Sequence, residues 1–197
     1  MDAASLKNAF MRWADAMDKA ASELNALDAQ LGDGDLGITL KKCAANVRAT
    51  LTVAPDSLPG ILRAASQACA DASGSSFGTL LAGGLLIAGK WLEAGKALDR
   101  VALPELLRHA VQKLSARGGA QLGDKTMLDS LQAIAQAIEE ASAHDDLADV
   151  ARAATASALK EFRSQPNRIG RARMFAQKSI GLDDPGMVAV MRMTQSL

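Results

Sequence analysis

The chain contains no tyrosine, and aromatic residues of all kinds make up only 3% of its 197 positions. Valine, isoleucine and threonine together number 21. Strands draw on β-branched and aromatic residues, so a mainly β fold is excluded. Two cysteines, Cys43 and Cys69, are too few for a disulfide framework and are not spaced as metal ligands. They read as buried small hydrophobes in a reducing compartment. Neither sign of charge is in excess, since 22 Lys and Arg balance 22 Asp and Glu. That balance removes any general attraction for nucleic acid or for an anionic membrane. Long apolar runs are missing too. The longest, Leu80 to Ala88, is about half of what a bilayer span needs and contains Gly83-Gly84. Met1-Asp2-Ala3-Ala4-Ser5 has no basic region leading into an apolar core, so no signal peptide is expected and the expected location is cytoplasmic.

What remains is alanine and leucine. There are 40 Ala and 26 Leu, a third of the chain, and both lead the helix-propensity scale. At 49% hydrophobic the chain is too apolar to be disordered, and it is long enough for one well-filled core. One all-α domain over residues 1–197 is expected. Leu6, Phe10, Trp13, Met17, Ala20 and Leu24 recur at steps of four and three, which lays one apolar stripe along a long helix. Met127, Leu131, Ile134, Ile138 and Ala141 predict a second such helix, starting at about Asp124. Leu147, Ala151, Ala154, Ala158 and Phe162 predict a third after Asp146. Stripes near a seven-residue repeat point to helices packed at shallow angles in an antiparallel bundle.

The breaks fall at 32–37, 55–59, 73–78, 118–123, 165–170 and 181–186. All but 55–59 carry glycine together with Asp, Ser, Lys or Arg within the break or directly after it. In an up-and-down bundle alternate loops share one end, so loops distant in sequence can converge on one site.

Asp28, Asp33 and Asp35 lie within eight residues around Gly32, Gly34 and Gly37. Unpaired, three carboxylates repel; a hard divalent cation with oxygen ligands turns that repulsion into binding. Mg²⁺ takes a few carboxylates and leaves its other positions to water and phosphate oxygens. The same segment matches a dinucleotide-binding GxGxxG, but no strand precedes it and its two internal Asp would repel a pyrophosphate. An EF-hand is excluded by Gly37, Ile38 and Ala44 at positions that need other residues. The run from Gly84 to Lys90 lacks the Ser or Thr of a P-loop and reads as a buried helix.

Other loops suit a nucleotide. Ser73-Gly74-Ser75-Ser76 enters a helix with hydroxyls and exposed N–H groups that suit an anion, although taken alone the segment reads first as an ordinary Ser-capped helix. Gly118-Gly119 through Lys125-Thr126-Met127 is a second Gly-rich helix entry, with Asp124 as the expected cap; Lys125 in a first turn opposes the helix dipole, which hints at a local role, the alternative being plain solvent exposure. Arg168, Arg171 and Arg173 flank Gly170 ahead of the Asp184-Pro185-Gly186 turn. Arginine suits bidentate phosphate recognition, although a solvated basic face has the same composition. His109 and His144 have no evident partners, so a histidine-based hydrolase has little support.

Taken in order, Leu27-Asp28 with Gly32-Asp33-Gly34-Asp35, Ala72-Ser73-Gly74, Gly123-Asp124-Lys125-Thr126-Met127-Leu128-Asp129, Gly170-Arg171-Ala172 and Ser179-Ile180-Gly181 with Asp184-Pro185-Gly186 resemble the nucleotide-binding L subunits of dihydroxyacetone kinases, the DhaL family. The resemblance implies a barrel of about eight antiparallel amphipathic helices with the nucleotide in the loops at one end. It implies ADP or ATP with Mg²⁺, two ions, held by Asp28, Asp33 and Asp35. By position, Gly37, Ile38 and Thr39 would open the helix beneath the phosphates, and Ala72 and Ser73 would contact them. Gly118 and Met127 would line the base or ribose, while Arg171, Asp184, Pro185 and Gly186 would close the site. The metal would neutralise charge developing on the transferred phosphoryl group. The implied partners are a substrate-binding K subunit and, in one branch, a phosphotransferase-system M subunit that rephosphorylates bound ADP. Two positions depart from the family pattern: Leu36 replaces a common His, and Leu182-Asp183 replaces a common His-Gln. The alternative reading is a nucleotide-loaded regulatory module acting on a protein such as a transcription factor. A ligand-free helical scaffold fits composition but leaves the three-Asp segment without a purpose.

Overall fold

The computed structural model describes residues 1–72 and 74–197. Its helices are α1 (Ala3–Leu31), α2 (Leu36–Leu51), α3 (Leu58–Ala72), α4 (Ser76–Glu93), α5 (Leu103–Gly118), α6 (Met127–Glu140), α7 (Leu147–Phe162) and α8 (Pro185–Thr194). A 3-10 helix, Arg171–Ser179, lies between α7 and α8. Among the described residues there is no strand, and no helix is long and apolar enough to cross a membrane.

Local chemistry sets these boundaries. Asp2 accepts the Ser5 N–H at 2.8 Å and caps α1, and Asp146 accepts the N–H groups of Ala148 and Asp149 to cap α7. Pro104 and Pro185 stand in the first turns of α5 and α8, where a missing N–H costs nothing. The α1 stripe is buried or half-buried throughout, with Met17 and Leu24 fully inaccessible. Burying such a side chain contributes roughly 1.5–3 kcal/mol. Cys43 and Cys69 are free and buried, as composition implies.

Each helix packs on the next, and α8 returns to α1, closing a barrel of eight staves. Most connections are short, so consecutive helices run antiparallel, and the contact of α8 with α1 closes the ring. Three apolar clusters fill it: one around Met17, Leu40 and Met187, one around Val47 and Ile61, and one around Leu114 and Leu128. An apolar cavity of about 360 Å³ remains among α1, α4, α5, α6 and α8. The segment from Gly84 to Lys90 is helical wall within α4, with Gly89 packed on Leu62 and Pro59.

The connections 32–35, 74–75, 119–126 and 163–184 share one end of the barrel, while 52–57, 94–102 and 141–146 share the other. The break at 94–102 is not anticipated from sequence. Its single glycine, Gly95, is its only strong turn signal before Pro104.

Gly37 determines how closely α2 approaches α1. A Cβ there would stand 1.9 Å from the Ala21 carbonyl oxygen. Backbone cannot yield as a flexible side chain does, so Gly37→Ala is expected to destabilise the chain by about 3 kcal/mol. Urea unfolding measures this; an unchanged midpoint would show that the helices are free to separate.

Candidate functional site at the loop end of the barrel

Asp28 lies on the last turn of α1, not in the loop, and its position is what organises the turn. Its Oδ2 accepts the backbone N–H groups of Asp35 at 2.9 Å and Leu36 at 3.3 Å, capping α2 from the preceding helix. Asp35 occupies the N-cap position of α2 yet makes no side-chain capping bond, which leaves its carboxylate available. Gly34, at φ +75°, makes the reversal possible. Carboxylate oxygens of Asp28, Asp33 and Asp35 consequently lie within 4.8 Å of one another. An all-oxygen set at this spacing fits a hard cation such as Mg²⁺.

These carboxylates border a cleft of about 260 Å³. Gly74, Ser75 and Ser76 line it from the start of α4, and Thr126 and Met127 from the start of α6. The far wall is Ile169, Gly170, Arg171 and Ala172 together with Asp184, Pro185 and Gly186. Arg171 forms an ion pair with Asp33 across the mouth. Arg168 and Arg173 are exposed and stand outside the lining.

Of the positions singled out from sequence, Asp28, Asp33, Asp35, Met127, Arg171, Asp184, Pro185 and Gly186 meet in this cleft. Gly37 and Thr39 do not: they are buried in the first turn of α2, and Gly37 packs on α1. Ile38 is 49% exposed and donates its N–H to Asn25 Oδ1, away from the lining. Ala72 ends α3 outside the lining, and Gly118 ends α5 beside Leu80, which does line the cleft. Ser73 lies outside the described residues.

Thr126, rather than Asp124, caps α6. Its side chain accepts the Leu128 N–H, while buried Asp129 accepts the Thr126 N–H at 2.7 Å and the Gly123 N–H at 2.6 Å. Asp124 instead turns back to accept from Gln121. The Thr-x-x-Asp spacing is a capping-box signal that marks this start in the sequence.

Lys125 is not solvated but completely buried. Its ammonium donates to the carbonyl oxygens of Gln165 (2.8 Å), Ser179 (2.9 Å) and Leu182 (2.8 Å). Burial holds its pKa below the usual lysine value, against the opposing pull of Asp184 and Asp183. It is also the one non-glycine among the described residues with positive φ, 65°, a conformation that costs a lysine roughly 1–2 kcal/mol. Asn167, buried beside it, donates to the Lys125 carbonyl and to Asp184 Oδ2.

Asp184 caps α8 by accepting the Met187 N–H at 2.8 Å. Burial pushes its pKa up to about 6, outweighing the bonds from Met187 and Asn167 and the charge of Lys125, all of which pull it down. In the unfolded chain the group titrates near 3.8. Between those values the native state binds the extra proton, so the stability Asp184 contributes is full at low pH and is lost as pH rises through about 6. Relative to wild type, Asp184→Asn, which cannot ionise, should gain about 2 kcal/mol between pH 4 and pH 7. Urea unfolding in chelator at both pH values measures this; a pH-independent difference would contradict the buried carboxyl.

Comparison with known proteins adds relatives. The DAK2 domain family matches residues 30–197. A D-erythrulose kinase of Mycolicibacterium smegmatis is 33% identical across 92% of this chain, which corresponds to 33% of that protein. The chain thus spans about a third of the length of such relatives. The ADP-binding subunit DhaL of the PEP-dependent dihydroxyacetone kinase of Escherichia coli is 29% identical across 96% of this chain and 93% of its own length. The crystal structure of the dihydroxyacetone kinase from C. freundii in complex with AMP-PNP and Mg²⁺ superimposes with a TM-score of 0.78 at 24% identity, over 98% of this chain and 33% of that one. That likeness shows the same all-helical fold.

Proposed function

The chain belongs to the DAK2 domain family, and from that premise we propose that it is the nucleotide-binding subunit of a dihydroxyacetone-type ketose kinase. ADP or ATP occupies the cleft with Mg²⁺, and phosphoryl passes to a ketose held by a separate K subunit. The observation that carries this reading is the convergence of three carboxylates within 4.8 Å on a cleft whose other walls offer Ser75, Ser76 and Arg171. Acidic and basic groups facing one cleft suit a metal-bound polyphosphate far better than either a lone cation or a lone anion.

The chain's own residues divide the work. Asp28, Asp33 and Asp35 would hold two Mg²⁺ ions, which, when bound, offset negative charge on the phosphates during transfer. The α4 start, with Ser75 and Ser76, faces the phosphates with hydroxyls and N–H groups. Arg171 supplies positive charge from the opposite wall, and Met127 offers an apolar face to the base or ribose. Leu36 gives no polar side chain where relatives often carry one, and its N–H is already taken by Asp28.

A partner fits at this end. Ile38, Leu122, Met174, Phe175 and Ile180 are large exposed hydrophobics on or beside the loops that surround the mouth. Apolar residues gathered at a functional rim favour a docking protein that closes the cleft against water. The relative matched over 93% of its own length is the ADP-binding subunit of a PEP-dependent enzyme. That favours standing ADP, recharged by an M-type phosphotransferase-system carrier.

Reconstitution tests the reading. The chain is mixed with a K-type subunit, dihydroxyacetone and Mg²⁺, with either ATP or a phosphoryl-charged M-type carrier. Ketose phosphate should form only when all components are present. Nucleotide binding without transfer under both donors would leave the regulatory alternative in its place.

A further inference from the structure

Lys125 has no part in the scheme above, yet it is buried as deeply as any residue of the apolar core. Its three carbonyl partners lie on both sides of the 3-10 helix: Gln165 precedes it, Ser179 ends it, and Leu182 follows. One ammonium therefore ties the two ends of the 163–184 segment to the start of α6. All three of its N–H donors go to main chain, a use that neither a thioether nor an amide side chain can reproduce.

The segment's two ends are also joined to each other, by the Gly181 N–H donating to the Arg163 carbonyl at 2.8 Å and by the exposed Arg163–Asp183 ion pair, and Ile169 packs on the apolar cluster around Leu114. Of the 3-10 helix residues only Ser179 is buried, while Gly170 (φ +68°) and Gly181 (φ +87°) mark its two ends as turns. Further hydrogen bonds gather around Lys125 itself. Asn167 donates to the Lys125 carbonyl at 3.0 Å, the Arg168 N–H donates to the Asp124 carbonyl at 3.2 Å, and the Asn167 N–H donates to Ser179 Oγ at 2.8 Å. Arg171, which reaches Asp33, is carried on this strap and on no other element. The positive φ of Lys125 has the same meaning: glycine would suit that backbone better, so the position is retained for what the side chain does.

We infer that Lys125 is a positioning residue, fixing the 163–184 strap so that Arg171 stands over the carboxylate cluster. Its effect on ligand binding rests on the nucleotide reading above; its effect on the strap does not.

The test compares Lys125→Met, Arg171→Gln and the double variant in the full chain. Three readouts are taken: ADP binding with Mg²⁺ by calorimetry, Mn²⁺ binding without nucleotide, and tryptic cleavage after Arg173 and Lys178. Lys125→Met should weaken ADP at least tenfold, speed strap cleavage at least tenfold and leave Mn²⁺ binding unchanged, because the three Asp belong to α1 and the turn before α2. Arg171→Gln should weaken ADP without speeding cleavage. The double variant should bind ADP no more weakly than Lys125→Met alone, since the lysine acts through the arginine. A purely structural lysine would give losses that multiply, and that result overturns the inference, as does unchanged cleavage in Lys125→Met. If Lys125→Met does not fold, Lys125→Gln takes its place with the same expected directions. If wild type binds no ADP, the nucleotide reading fails, and the cleavage rates still decide whether Lys125 holds the strap.

Discussion

Asp33→Asn should lose Mg²⁺-dependent ADP binding by about two orders of magnitude while keeping its helical content. Two orders correspond to roughly 3 kcal/mol, a reasonable share for one charged oxygen ligand of a hard cation. Asp33 is the cleanest of the three carboxylates to change. Its side chain is 43% exposed and is held, among the described residues, by the ion pair with Arg171 alone. Asp28, in contrast, also caps α2, so its removal would mix metal loss with unfolding of the turn. Asp15, exposed and paired with Arg48 on the barrel wall, is the matched control. Asp15→Asn should leave binding untouched, because exposed ion pairs contribute little to stability and this one lies far from the cleft in the sequence and outside its lining. Calorimetry with circular dichroism separates the outcomes. Equal losses in both variants would mean that net charge, rather than ligation, governs affinity.

Asp129→Ala should be the most destabilising substitution near the site, by about 3 kcal/mol. The carboxylate is buried and accepts two main-chain N–H groups, from Gly123 and Thr126. Removing it costs the cap of α6, worth about 1 kcal/mol, and leaves partly buried donors unpaired at about 1–3 kcal/mol. For a chain of this size that lowers Tm by roughly 10 °C. Thr126 and Met127 border the cleft, so ADP affinity should fall as well. Asp129→Asn keeps one acceptor oxygen and should recover part of the loss. A thermal melt of Asp129→Ala within a degree or two of wild type would show that water satisfies both donors.

The barrel itself was largely legible. The 4-3 stripes of α1, α6 and α7 face the core where the steps place them, because side-chain burial and helical periodicity are both local properties of those segments. The convergence of alternate loops followed from the up-and-down order. The three-Asp turn was legible for a different reason: its glycines and all its carboxylates lie within a few residues, so spacing alone brings them together.

Lys125 was legible only as a misfit with the helix dipole, not by its burial or its partners. Its partners lie 40, 54 and 57 residues away and are main-chain carbonyls, which carry no residue-type signal. Asn167 hides for the same reason, since it binds a carbonyl from one loop and a carboxylate from another. The first turn of α2 shows the converse. Position suggests Gly37 as a phosphate contact, yet that glycine is needed where α2 crosses the Ala21 carbonyl, a contact between helices that no motif describes.

On the function proposed, the three carboxylates make nucleotide binding depend on a metal. Calorimetric titration of ADP into the purified chain, first with Mg²⁺ and then after exhaustive chelation, tests it most directly. Saturable binding is expected with Mg²⁺ and none detectable without it. Equal affinity in both conditions, or no binding in either, would contradict it.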